Sequence, residues 1–265
     1  MSGAPNLTSS FSRPAEVVGE NRRWSLYAKW VLFGMIAAVL IFVVMSIHDF
    51  LAVTNPVGQG ILVVEAWIPE QALAESARIF NSRHYSYFVI VGGPIQGMGN
   101  NSNHPASYVD LATERLEKLG FDTKKLVRIS VPGVSFGRRT LTSATAVERW
   151  LSSSEISVCC VDVVTVGVHA RKSWILFRHA LGDGYRIGII AGPEVPYDGR
   201  FWFFSTEGIW TVVRNLAGYV YAKVWILRIP RASSQQEPGR RVLICRSCGI
   251  VRGFMRRTVE TVLID

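Results

Sequence analysis

The chain has 265 residues, enough for one sizeable α/β domain with appendages, and its 49% hydrophobic content and mean hydropathy of +0.22 are high for a wholly soluble protein. Its formal net charge is +9, but the first 29 residues carry +2 and residues 228–265 carry +5, which leaves +2 for the body between them. A nucleic-acid surface needs basic residues clustered on the folded body, so the charge argues against a nucleic-acid partner and for attraction of the flanks to anionic lipid.

Residues 1 to about 20 are rich in Ser, Pro and Asn and read as disordered, part of an N-terminal segment ending at residue 29. From Trp30 to Ile47 run 18 residues without a charge or a histidine, which as a helix span about 27 Å, just enough for a bilayer. We place an anchor at 30–53. Arg13, Arg22, Arg23 and Lys29 precede it, and no Lys or Arg follows until Arg78, so the positive-inside rule puts the N-terminus in the cytoplasm and the rest outside. A cleaved signal peptide is the rival reading; against it stand the length of the apolar run and bulky Phe50 near the nearest cleavage point, after Ala52.

A short linker, Asn55-Pro56-Val57-Gly58, leads into alternating strands and helices. The strand ILVV at 61–64 precedes a helix with Pro69 in its first turn and Leu73, Ala77 and Phe80 on one face. YFVIV ends at Gly92-Gly93, and a loop to Asn103 leads to a stripe of Val109, Ala112, Leu116 and Leu119 stopped by Gly120. LVRISV at 126–131 leads through Pro132-Gly133 to a helix bearing Ala144, Val147 and Leu151; VCCVDVVTV precedes Trp174, Phe177 and Leu181, stopped by Gly182; RIGIIA at 186–191 is a fifth strand. Strands this apolar, each followed by an amphipathic helix, define a three-layer αβα sandwich with a mainly parallel, Rossmann-like sheet over residues 54–230.

An aromatic patch follows, Tyr197 and Phe201 to Phe204, then a long helix from about Thr206 to Leu227. Its stripe of Ile209, Val213, Leu216, Val220, Val224 and Leu227 is expected to pack on the sheet, and Glu207, Arg214 and Lys223 make it a poor membrane span. The aromatics belong either to the core or to a lipid interface. Residues 231–265 read as a basic tail. Of the four cysteines, Cys159-Cys160 fall in a strand as small buried side chains, whereas Cys245-x-x-Cys248 has redox or zinc spacing without the second ligand pair that a metal site needs. No metal site is assigned, and no cofactor is named by any motif: a serine elbow, a Walker loop and the GxGxxG spacing of dinucleotide sites are all missing.

Several strands end in polar residues, and in an open parallel sheet ligands bind at those ends. Glu65 closes the first strand. Gly92 and Gly93 close the second and let backbone approach a ligand, although a glycine pair is also a common tight turn. His169, Arg171 and Lys172 follow the fourth, and Arg139-Thr140 open a helix; these cations suit phosphate, while Glu65 or His169 can move a proton. The bland alternative is solvated helix-start cations and a structural ion pair between Glu65 and Arg139 or Arg171.

The blocks Val63-Val64-Glu65-Ala66-Trp67-Ile68-Pro69, Gly92-Gly93, Arg139-Thr140-x-x-Ser143-Ala144, Gly167-x-His169-Ala170-Arg171-Lys172-Ser173 and Tyr197-Asp198 through Trp202 to Ser205-x-Glu207-Gly208 occur in this order over roughly 165 positions. In them the chain resembles the family of unknown-function domains that includes the YdcF, SanA and ElyC proteins, in a branch whose first strand reads Val-Val-Glu-Gly-Trp-Leu-Pro. It departs from that branch at Ala66, Lys172, Gly199 and Asn215, the last where the branch carries an acidic residue. The resemblance implies a three-layer α/β domain in the bacterial inner membrane and a role in envelope or peptidoglycan biogenesis, with a lipid-linked phosphate such as a polyprenyl carrier as ligand. It leaves two alternatives, a non-enzymatic envelope scaffold and a nucleotide- or S-adenosylmethionine-binding domain.

Overall fold

The computed structural model describes residues 17–95, 107–133, 138–154, 156, 158–194 and 196–228, with side chains from residue 26 onward. The loop to Asn103, the tail 231–265 and Cys245 and Cys248 lie outside the described residues. The chain divides into two compact units, residues 1–47 and 48–265.

The first unit is represented by helix α1, Val17–Leu51, whose last turn belongs to the second unit. The helix starts thirteen residues before the expected anchor, because extending an existing helix costs little once its nucleus has formed. Its stretch Leu26–Leu51 has a mean hydropathy of 2.7, is about 39 Å long by helical rise, and is long and apolar enough to cross a membrane. The large apolar side chains from Leu26 to Met45 are exposed, unlike those of a core helix.

The second unit is a parallel five-stranded sheet flanked by helices. In chain order it contains β1 Gln59–Glu65, α2 Glu70–Ser82, β2 His84–Gly92, α3 Tyr108–Lys118, β3 Leu126–Ser130, α4 Arg139–Ser153, β4 Cys160–Val166, α5 Ala170–Leu181, β5 Arg186–Gly192 and α6 Thr206–Ile226. The strand order is β3-β2-β1-β4-β5 and every neighbouring pair is parallel. Alternation along the strands divides the core in two. Ile61, Val63, Val89, Val161 and Val163 meet Val147 of α4 and Phe177 of α5 on one face, while Leu62, Val64, Phe88 and Ile90 meet Leu73 and Phe80 of α2 and Leu116 of α3 on the other.

Local chemistry places the joints. At the end of α3, Gly120 has φ +73° and a Schellman motif closes the helix, with Phe121 N–H donating to Leu116 O at 3.0 Å and Gly120 N–H to Glu117 O at 2.9 Å. Leu119, expected on the apolar stripe, is the C-cap and is exposed, since the chain has left the helix face by then. Pro69 is the N-cap of α2 in extended conformation, one residue before the expected first turn. Buried Asp162 ties the linker to β4: Val57 N–H and Gly58 N–H donate to its two oxygens at 2.7 Å each, and the Tyr85 hydroxyl donates at 2.6 Å. Asn55 pairs antiparallel with Ile189 and covers part of the β5 edge. Cys160 is buried, and neither Cys159 nor Cys160 is a free thiol: both are disulfide-bonded.

The long helix corrects the sequence reading. The face of α6 that is buried consists of Gly208, Val212, Asn215 and Ala222, and it packs on α5 and on the 3-10 turns Gly167–His169 and Gly199–Phe204. Small residues win there because they allow close approach: a Cβ on Gly208 would lie 2.4 Å from Trp202 O. The stripe expected to pack on the sheet instead points outward, with Ile209, Val213, Val220, Val224 and Leu227 exposed and Leu216 half-buried. The aromatic patch is divided, with Tyr197 and Trp202 buried but Phe201 and Phe204 exposed, Phe204 at 81%.

Candidate functional site

Between β1 and β4 the chain reverses its direction of winding, because β2 and β3 are laid down on one side of β1 and β4 and β5 on the other. At such a point consecutive connections leave in opposite directions and open a crevice at the carboxyl ends of the strands. A cavity of about 410 Å³ lies there, lined by Glu65, Gly92, Gly93, Arg139, Thr140, His169 and Lys172 among others. Seven of the eight residues singled out in the sequence thus meet in one place, carried by β1, the β2 end, the start of α4 and the start of α5.

Arg171 is the exception. It is not part of the cavity lining; its guanidinium sits 3.9 Å above the Phe50 ring and its Nε–H donates to the Phe50 carbonyl. Neighbours on a helix point about 100° apart, so Lys172 faces the cavity while Arg171 faces the end of α1. In place of Arg171, Arg138 and Arg214 line the cavity with Arg139 and Lys172. Arg138 adjoins a residue already singled out. Arg214 had no sequence signal, and Asn215 stood out only as a departure from the resembling branch, since the place of both depends on how α6 docks.

The geometry fixes the state of His169. Asn215 Nδ2 donates to Thr211 O at 2.9 Å, which turns its Oδ1 toward His169 Nδ1 at 3.0 Å. An amide oxygen only accepts, so Nδ1 carries the proton and Nε2 is left with its lone pair. Thr140 Oγ1 lies 3.3 Å from Nε2 and Glu65 Oε2 lies 4.0 Å from it, while Trp67 contacts the ring edge-on at 5.0 Å between centroids. Burial, followed by the nearby Lys172 charge, lowers the His169 pKa to about 3, so the ring is neutral at ordinary pH.

Glu65, at 2% exposure, is pushed the other way: burial raises its pKa, offset in part by neighbouring hydroxyl groups and by Lys172. The Ser173 hydroxyl donates to its Oε2 at 2.9 Å. Lys172 is lowered by burial, with Glu65 opposing and Arg214 reinforcing the shift. Gly92 owes its identity to packing, since an added Cβ would lie 2.7 Å from Ala66 Cβ, whereas Gly93 has room for one at 3.6 Å from Val131. Gly93 is therefore the member of the pair with space beside its backbone.

Chemically the cavity pairs a neutral imidazole acceptor with a carboxyl that holds its proton unusually well, and four basic side chains share its lining. The start of α4 adds backbone N–H groups and the positive end of its dipole. Among the described residues no group of three or more His, Cys, Asp or Glu side chains could hold a metal ion.

The fold and the cavity define a doubly wound α/β domain with a cationic cleft at its switch point. No family model, curated protein or solved structure matches the chain.

Proposed function

We propose that this chain is a single-pass protein of the bacterial inner membrane, N-terminus cytoplasmic, whose extracytoplasmic α/β domain binds or processes a phosphate-bearing, polyprenyl-linked compound in envelope or peptidoglycan biogenesis, as a YdcF-like protein would. The observation that carries the reading is the charge of the switch-point cavity: Arg138, Arg139, Lys172 and Arg214 face a single carboxyl, that of Glu65, among the described lining residues. Guanidinium groups and a helix N-terminus are complementary to phosphate oxygens, and an arriving phosphate would favour the charged form of Lys172. His169 Nε2, unprotonated and directed at Glu65 and Thr140, is placed to accept a proton from a hydroxyl or water, and Glu65 to donate or orient one. The apolar helix Leu26–Leu51 supports a membrane tether, and disulfide-bonded Cys159 and Cys160 fit an oxidising compartment.

The test is binding of a polyprenyl phosphate to the full chain in vesicles. Arg139→Ala removes a charge-assisted contact worth about 2 kcal/mol, a loss of roughly 30-fold in affinity. His169→Ala weakens turnover more than binding, and Arg171→Ala leaves both unchanged. Equal affinity for wild type and Arg139→Ala would remove the cavity from consideration. A second reading, nucleotide or S-adenosylmethionine binding, draws on the same β3-β2-β1-β4-β5 order, which places a cleft where dinucleotides bind in other folds of this class. Saturable binding of an adenine-containing ligand in the same assay, with none of the lipid phosphate, would favour it. The non-enzymatic scaffold reading draws on exposed Phe204 and requires that alanine at Arg139 and His169 leave cellular function intact.

A further inference from the structure

The outward face of α6 is apolar along its whole length. Ile209, Trp210, Val213, Val220, Tyr221 and Val224 are exposed together, with Leu227 beyond the helix end. At 100° per residue these positions fall within one third of the helix circumference. Arg214 and Lys223 stand on opposite flanks of that face, Arg228 follows it, and Glu207 in the first turn is the sole acidic residue of the helix. Exposed Phe201 and Phe204 extend the apolar surface into the preceding 3-10 turn. A face this long on a soluble domain needs a cover.

Three observations identify the cover as lipid. The apolar stretch of α1 ends at Leu51, and Phe50, within its last turn, packs edge-on against Tyr219 of α6 at 5.5 Å between ring centroids. The residues of the second unit that close the apolar stretch therefore touch this helix. The composition, with aliphatic centre, Trp and Tyr on the face and basic flanks, is that of helices lying in the plane of a membrane surface. The excess of basic over acidic side chains complements anionic headgroups.

We propose that the outer face of α6, with Phe201 and Phe204, lies in the headgroup and upper acyl layer of the membrane that α1 enters. The proposal rests on the reading of α1 as an anchor. It gives the cavity a direction of supply: Arg214, Asn215, Gly218, Tyr221 and Trp225 of the same helix line it, so its wall is the element in contact with lipid. A substrate with a lipid tail then reaches the cations by lateral movement at headgroup level, its tail remaining among the acyl chains.

The experiment places a photocrosslinking benzoylphenylalanine, one site at a time, at Leu40, Val213, Val220 or Glu117 of the full chain in vesicles of phosphatidylethanolamine and phosphatidylglycerol. Glu117 is exposed on α3, which packs on the opposite face of the sheet. Lipid adducts at Leu40, Val213 and Val220 and none at Glu117 are expected. Adducts at Leu40 while Val213 and Val220 attach to nothing or to a second copy of the chain overturn the docking surface and leave the anchor standing. No lipid adduct at Leu40 overturns the anchor, and this proposal with it.

Discussion

His169 and Glu65 share one site, yet burial drives their proton affinities apart, because a low-dielectric environment disfavours whichever form is charged. The sign of the consequence differs for each. The unfolded chain binds a proton at His169 below about pH 6.5, whereas the folded chain does so only near 3, so this group's contribution to stability is present at neutral pH and is lost as pH falls between those values. For Glu65 the folded state holds the proton more tightly, so its contribution is present at low pH and fades as pH rises above the model-peptide value of 4.5. His169→Gln is expected to flatten the difference in stability between pH 7.5 and pH 4.5 relative to wild type, read by thermal denaturation in detergent. Parallel pH profiles for the two proteins would contradict a buried neutral imidazole. Asn215→Asp does the converse: a carboxylate at Nδ1 stabilises the imidazolium and moves the acid limb of any activity profile to higher pH.

At the scale of elements, the connections into β4 and out of α3 separate two ways in which a residue can be indispensable. Asp162 is a fully buried carboxylate whose oxygens accept from two backbone N–H groups and the Tyr85 hydroxyl. Asp162→Ala leaves those three donors without acceptors and should cost about 3 kcal/mol or more, measured by chemical denaturation. Gly120 has no atom within 4 Å of a Cβ added there, so Gly120→Ala meets only the backbone strain of φ +73° and should cost about 1 kcal/mol. At Gly60 a Cβ would lie 2.1 Å from Cys160 O as well as having φ +90°, and Gly60→Ala should be markedly worse. An equal penalty at the two glycines would mean that β1 and β4 can move apart to admit a side chain. The glycine stops were legible in the sequence because positive φ is a local property. The partners of Asp162 were not, since they come from residues 77 to 105 positions away.

For the molecule as a whole, the central question is the compartment of the second unit. Phosphatase fused after Leu227 is expected to be active outside the cytoplasm, and a fluorescent protein fused there to stay dark. Cys159 and Cys160 should resist maleimide until a reductant is added. Active fluorescent fusions together with freely reactive thiols would place the domain in the cytoplasm and remove the lipid-linked substrate class.

The strands were legible within a residue or two, except that β2 begins three residues before the apolar run, because a strand covered on both faces must be apolar at consecutive positions and a helix beside it at every third or fourth. So was the membrane-length helix, a matter of length and hydropathy alone. Chain order also put Glu65, Gly93, Arg139 and His169 at strand and helix ends, and a parallel sheet brings all such ends to one rim. What the tertiary structure decided is which of those ends meet, through the order β3-β2-β1-β4-β5, and which way side chains on a helix turn. Arg171 and Lys172 are adjacent in sequence and alike in charge, yet one covers Phe50 and the other lines the cavity. On α6 two faces carry enough apolar residues to be buried, and the one with Gly208 and Ala222 went inward because small side chains let the helix approach its neighbours. Hydrophobic periodicity says that a face exists; close packing chooses which face it is.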